Sequence, residues 1–243
     1  MTRPRALGGR EAGRPADRLS DRSAVRGAAG KVPIVTDESP AELVRKGYDA
    51  LSYLYRVDDA EEGRYAPWLA GLRERLPAGA RVLDLGCGCG VPVARALSAA
   101  GYQVAGLDLS EVQIRRARGL VPGAAFIRAD AMTVAFAPAS FDAIVCLYAI
   151  FHLPLDAQPL LLNRAASWLR PCGWLLATVG QRAWTGKDEN WLGGPAAMWW
   201  SQADAATYAE WLEQAGLEIA EQGFVPEGSS GHALFWALRT AVT

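Results

Sequence analysis

The sequence is poor in the residues that metal and disulfide chemistry require. Its 243 residues include two histidines and four cysteines. The cysteines are Cys87, Cys89, Cys146 and Cys172. Four are too few to form a disulfide framework in a chain of this length, so reduced thiols are expected. Cys87 and Cys89 stand one residue apart with no second Cys/His pair nearby. Zinc sites require wider spacing and two further ligands, and a redox pair reads C-x-x-C. No metal is expected. Long apolar runs are also missing. None approaches the roughly 20 residues that cross a bilayer, and no secretory h-region stands near the start. The expectation is a soluble, cytoplasmic protein without membrane contact.

A basic surplus is absent outside the first residues. Residues 1–31 carry eight Arg/Lys against three Asp/Glu, and the remaining chain carries 17 against 23, a net of −6. An acidic body opposes broad binding to a phosphate backbone. Arg outnumbers Lys 22 to 3, a bias that a GC-rich bacterial genome produces, so the arginines imply no partner. Residues 1–35 have no aromatic side chain and are rich in Arg, Gly, Ala and Pro. Such a segment cannot offset its chain entropy by burial and is expected to be a disordered basic tail.

What is present is a large apolar fraction, 51%, enough for the core of one domain over 36–243. Helical patterns fill 36–78. "SPAELVRKGYDALSYLYR" starts with a Ser cap and a Pro at the first helical position, and "RYAPWLAGLRERL" is a second helix. An alternating series follows: strand "ARVLDLG", helix "GVPVARALSAAG", strand "YQVAGLDL", helix "SEVQIRRARGL", strands "AAFIRAD" and "FDAIVCLYAIF", helix "LDAQPLLLNRAASWLRPCG" and strand "GWLLATVG". Alternation of this kind predicts a doubly wound, mostly parallel α/β sheet. A last helix, "QADAATYAEWLEQAG", precedes two strands, "LEIAEQGFVP" and "GHALFWALRT", which predict an antiparallel C-terminal hairpin. Residues 181–201 read as irregular and hold Trp184, Trp191, Trp199 and Trp200.

"LDLGCGCG", residues 83–90, is the most informative stretch. A buried strand runs into glycines and then a helix, which suits a nucleotide-like ligand at the carboxyl end of the first strand. The spacing is G-x-G-x-G, and Val91 stands where a dinucleotide fingerprint puts its third glycine. Asp84 lies two positions before Gly86. A pyrophosphate gains nothing from that carboxylate, whereas a cationic, amino-acid-bearing ligand does. A second acid, Asp108, ends the next strand 24 residues later, near the spacing expected of a ribose-binding carboxylate.

With "VLDLGCGCG", "VAGLDLS", "FIRADAM" and "FDAIVCLYAIFHLP" in this order, residues 40–240 resemble the class I S-adenosylmethionine-dependent methyltransferases of small-molecule type. The resemblance implies a Rossmann-like fold of seven strands with N-terminal cover helices. It implies S-adenosylmethionine as methyl donor and S-adenosylhomocysteine as product. It further implies that Gly86, Cys87 and Gly88 line the methionine part through their backbone and that Asp84 holds its ammonium. Asp108 takes the ribose diol, with Gln113 in reach. Leu109 packs on the adenine, and Asp130 and Ala131 contact its edge. Cys146 and Leu147 lie beneath the sulfonium. Tyr48 and Tyr55, in the pattern Tyr-Asp-x5-Tyr, belong to a helix covering the cofactor, or pack on one helix face.

Methyl transfer from a sulfonium is an in-line displacement that mainly requires alignment in a dry pocket. A base is needed only where the nucleophile arrives protonated. His152 and His232 are the candidates, each with an alternative structural role. The turn after the fourth strand, "CLYAIFH", lacks the Asn/Asp-Pro-Pro-aromatic pattern of nucleic-acid amino methylases. The expected partner is a small methyl acceptor, with no nucleic acid, in a monomer or homodimer. Tyr148, Trp184, Trp191, Trp199 and Trp200 are the expected substrate wall, since aromatic faces suit aromatic, apolar or cationic ligands. The competing reading is that these tryptophans pack the segment onto the first helix. A cofactor-binding member with altered chemistry, such as a cyclase or regulator, remains the alternative function, followed by an RNA methylase using the basic tail.

Overall fold

The computed structural model describes residues 38–240; the expected basic tail over 1–35 lies outside them. Helix α1, Pro40–Tyr55, opens at Ser39, whose hydroxyl accepts from Glu42 N at 3.3 Å. Helix α2 is Ala66–Arg75. The alternating series follows as β1 Arg81–Leu85, α3 Val93–Ala99, β2 Gln103–Asp108, α4 Glu111–Leu120, β3 Ala125–Arg128, β4 Phe141–Cys146, α5 Gln158–Trp168 and β5 Leu169–Gly180. The chain then forms β6 Trp184–Asp188, β7 Met198–Gln202, α6 Ala205–Gln214, β8 Leu217–Glu227 and β9 Ser230–Arg239.

Seven strands make one sheet in the order β3-β2-β1-β4-β5-β9-β8. β1 to β5 are parallel, and β9 pairs antiparallel with β5 and β8. This is the expected doubly wound sheet with an antiparallel end. β1 explains why its sequence reads as one apolar run. Val82 joins a core with Leu69 and Leu72 of α2, Leu97 of α3 and Ile114 of α4, while Leu83 joins the opposite core with Leu161 of α5 and Tyr208 of α6. Both faces are covered, so alternation disappears. The strand order reverses beside β1, which opens a crevice at the carboxyl ends of β1, β2 and β4.

Three local expectations change. Residues 181–201 are not irregular: β6 and β7 pair as a two-stranded antiparallel sheet. Their connection, 189–197, is too long for a two-residue hairpin turn, and its Gly193-Gly194-Pro195 turn signal does not by itself show which strands it joins, so local rules miss the hairpin. β5 begins at Leu169, before the Pro-Cys-Gly expected to separate helix from strand; Cys172 takes φ 61° and the pairing with β4 shifts there. The two N-terminal helices pack differently: α1 lies against α4, β7 and the turn after β4. α2 packs on the sheet face through Leu69 and Leu72.

Candidate cofactor cleft and its lid

β1 delivers the glycine loop to the crevice. Gly86 N and Cys87 N both donate to Leu107 O, at 2.8 and 3.0 Å, which pins the loop to β2. Gly86 has φ +77°, and a Cβ there would stand 2.3 Å from that of Ala149, so no side chain fits. Gly88 has φ +54° and faces open space. α3 begins only at Val93, behind Pro92, so the loop itself forms the cradle. Cys87 and Cys146 are buried, and burial raises both thiols, Cys146 to about 12, so neither ionises. All four cysteines are free thiols.

Two carboxylates flank the loop. Asp84 is 3% exposed, and its Oδ2 is buried without a hydrogen-bond partner. Burial and then the Asp108 charge push its carboxyl up to about 7. A buried carboxyl that lacks a counter-charge is a receptor for a cation, and an ammonium matches its unpartnered Oδ2. Asp108 is part-exposed at the crevice. Its Oδ2 accepts from Gly88 N at 2.9 Å and its Oδ1 from Ser110 N at 2.8 Å. Desolvation raises it to about 6 against those backbone bonds. Each oxygen keeps a lone pair for a hydroxyl.

The remaining expected cofactor contacts are less uniform. Leu109 is part-exposed after β2. Asp130 turns its Oδ1 back to Met132 N at 2.8 Å, and Ala131 packs against the core. Cys146 and Leu147 are buried where β4 ends. Gln113 is wholly buried and faces α1: Ser52 Oγ donates to its Oε1 at 2.9 Å, and its Nε2 is buried without a partner.

α1 and the β6–β7 hairpin pack together as one unit, the candidate lid. Tyr48 lies 5.1 Å from Tyr55 and 5.0 Å from Trp191, ring to ring. Trp191, 4% exposed, joins Val44, Leu51 and Met198 in a separate apolar cluster, with Trp199 and Trp200 packed against it. Trp191 therefore packs the hairpin onto α1. Trp184 differs: it is 44% exposed and lies 6.2 Å from Trp200.

His152 locks the lid to the turn after β4. Its Nδ1 is 2.9 Å from Trp199 O and its Nε2 is 3.0 Å from Tyr48 Oη. A carbonyl only accepts, so Nδ1 carries the proton and the Tyr48 hydroxyl donates to Nε2. Burial lowers this histidine to about 4, which keeps it neutral. Both nitrogens are committed, which favours the structural role.

On the other wall, Tyr148 adopts φ +59°, held by a 2.6 Å bond from its N–H to Thr178 Oγ1. Arg64 donates to its hydroxyl at 3.4 Å. His232 pairs with Gly180 in the β5–β9 register, at the carboxyl end of β5. Its ring stacks on Phe151, with centroids 5.0 Å apart, and meets the Tyr148 ring edge-on at 5.2 Å.

Two residues that motif reading passed over carry the lid. Asp49, the Asp of Tyr-Asp-x5-Tyr, bonds the N-terminus of α4. Arg116, 6% exposed, donates to Ser52 O at 2.7 Å, Arg56 O at 2.6 Å and Asp58 Oδ1 at 2.5 Å. The Asp49 signal was in the motif; nothing local marks Arg116.

Among the described residues no group of three His, Cys, Asp or Glu side chains is placed to hold a metal ion, and no helix is long and apolar enough to cross a membrane. The chain is 33% identical over 162 residues to the 27-O-demethylrifamycin SV methyltransferase of Amycolatopsis mediterranei, covering 57% of this chain and 58% of that protein. It spans about half the length of the curated relatives it matches. In fold it is similar to the 1,6-didemethyltoxoflavin-N1-methyltransferase of Burkholderia thailandensis, with a TM-score of 0.67, 20% identity and coverage of 88% of this chain and 95% of that one. It is also similar to the 4+2 cyclase SpnF, with a TM-score of 0.66, 19% identity and coverage of 84% and 98%. A family model described as "Methyltransferase domain" matches residues 57–222, which take in the glycine loop, both flanking acids and the turn after β4. The chain belongs to that methyltransferase family.

Proposed function

We propose that this chain transfers a methyl group from S-adenosylmethionine to an oxygen or nitrogen of a small, largely aromatic or apolar metabolite. The observation that carries the reading is the buried, unpartnered Oδ2 of Asp84 beneath a glycine loop that opens onto free space at Gly88. Those residues fit the donor's parts: Asp84 for the ammonium, the loop backbone for the methionine chain, and Asp108 for the ribose diol. The donor supplies an activated methyl on a sulfonium. The protein then binds, orients and excludes water, and α1 with the β6–β7 hairpin supplies that cover. An aromatic acceptor suits the rings of Tyr148, Trp184 and Trp200. A cytoplasmic setting and a role in natural-product metabolism belong to the same reading; the rifamycin methyltransferase relative supports the latter.

Isothermal titration with S-adenosylhomocysteine tests it. Wild type should bind with release of heat, and Asp108→Ala should lose that binding. Intact binding in Asp108→Ala overturns the site assignment. Methyl-labelled donor with a panel of candidate acceptors separates a methyltransferase from a cofactor-binding cyclase or regulator, since only the former yields labelled product.

A further inference from the structure

His232 stands apart from the other histidine. Its Nε2 lies 2.9 Å from Glu227 Oε2, while its Nδ1 is buried with no hydrogen-bond partner. A carboxylate only accepts, so Nε2 carries the proton of the neutral ring and Nδ1 presents a bare lone pair. The Phe151 stack and the Tyr148 edge fix the ring plane, and the β5–β9 register fixes its position beside Gly180. This combination is an oriented base with an empty, desolvated acceptor atom, at the carboxyl end of β5 beside the turn after β4. A buried acceptor left empty is costly, so the site is built for a donor that arrives with its ligand.

We propose that His232, oriented by Glu227, takes the proton of a neutral hydroxyl on a planar ring, so that the acceptor is a phenol-like alcohol and the product a methyl ether. The inference rests on the methyl-transfer reading above. In the step, the acceptor O–H breaks, its electron pair stays on oxygen, and the proton goes to His232 Nδ1. The oxygen bonds the methyl carbon supplied by S-adenosylmethionine, and sulfur keeps the pair of the broken C–S bond. Competing bases are committed elsewhere. His152 has both nitrogens bonded, and burial raises the Tyr148 phenol to about 12 and the Cys146 thiol to about 12. The charged and titratable groups around His232 are Glu227, Arg64 at 3.5 Å from Glu227, Tyr148, and His152 within electrostatic range. Glu227 stabilises the imidazolium, and Arg64 moderates that carboxylate.

The chain holds only two histidines, so imidazole nitrogen NMR on the full-length protein resolves the question. The protein is saturated with S-adenosylhomocysteine, binding is verified by calorimetry, and signals are assigned with His232→Asn. His232 should show the Nε2–H tautomer with an unprotonated Nδ1. Adding phenol as the probe should shift the Nδ1 resonance, and anisole, which lacks the hydroxyl, should not. Glu227→Ala should erase the tautomer preference while leaving S-adenosylhomocysteine affinity unchanged; a residue that only supports the strand would not change the tautomer. A protonated Nδ1, an equal response to phenol and anisole, or no response to either overturns the proposal. Absent S-adenosylhomocysteine binding instead overturns the methyl-transfer reading, and the tautomer is still read.

Discussion

Asp49 Oδ1 lies 2.6 Å from Ser110 Oγ and 3.2 Å from Val112 N, although Asp49 and Ser110 are 61 residues apart. Helix α4 therefore has two caps. Ser110 accepts from Gln113 N at 3.1 Å, and Asp49, reaching over from α1, places negative charge at the same first turn. Arg116 ties the C-terminal end of α1, one turn and more beyond Asp49, to the same helix. The C-terminal half of α1 is thus docked along α4 by polar contacts at two points, with the Tyr48–Trp191 cluster between lid helix and hairpin.

Removing the first of these tethers should loosen the lid. Asp49→Ala is expected to cost about 1–2 kcal/mol of stability, the usual worth of a cap with a charged hydrogen bond. It should also weaken S-adenosylhomocysteine by about ten-fold, the equivalent of about 1.4 kcal/mol, because the cover no longer closes. Urea denaturation and calorimetry check the two effects. Unchanged affinity would detach α1 from cofactor binding.

Asp84 should give the protein an inverted pH response at this site. A free aspartate titrates near 3.9, and burial with the Asp108 charge raises Asp84 to about 7 in the folded chain. The folded state therefore holds this proton more tightly than the unfolded state. That contribution is fully present below about pH 4 and is lost as pH rises through about 7. Asp84→Asn removes the loss, so the variant should gain on wild type as pH rises from about 4 to 7, by at most ~4 kcal/mol. It should bind S-adenosylhomocysteine far more weakly, since the ammonium loses its counter-charge. In wild type, binding near pH 6.5 should release a proton as Asp84 ionises. Thermal melts across pH and calorimetry in buffers of different ionisation heat measure both. A melting-point difference that stays flat with pH contradicts the buried-carboxyl account.

How far the site was legible follows from the range of its interactions. Asp84, Gly86, Gly88 and Asp108 sit on β1, on β2 and in the loop between them, so their spacing along the chain already encodes their spacing in space. Ser39 and Ser110 cap the helices they precede, again a local matter. Trp191 was ambiguous because a tryptophan that packs a lid and one that contacts a ligand look alike until the neighbours are known. The β6–β7 hairpin was hidden because its strands are joined by a long connection and owe their place to α1. Glu227 and His232 meet only through the β8–β9 register, and Arg116 reaches α1 from another helix. Contacts of that kind leave no mark in a window of sequence.

Gly47 tests whether the hairpin really depends on α1. A Cβ at this helix position would lie 2.8 Å from Ala197 O and 2.8 Å from Met198 Cε. Met198 is fully buried, and the carbonyl belongs to backbone, so the hairpin itself must shift. Against this, Gly47→Ala gains about 1 kcal/mol of helix propensity, while overpacking of a close contact costs about 1–3 kcal/mol. The expected net is a loss of about 1 kcal/mol, confined to the lid. Hydrogen exchange should then quicken at the β6 and β7 amides and stay unchanged in β1 and β4, because the central sheet does not touch Gly47. A variant that is more stable, with hairpin exchange unaltered, would mean that helix propensity outweighs the contact and that the hairpin holds its place without α1.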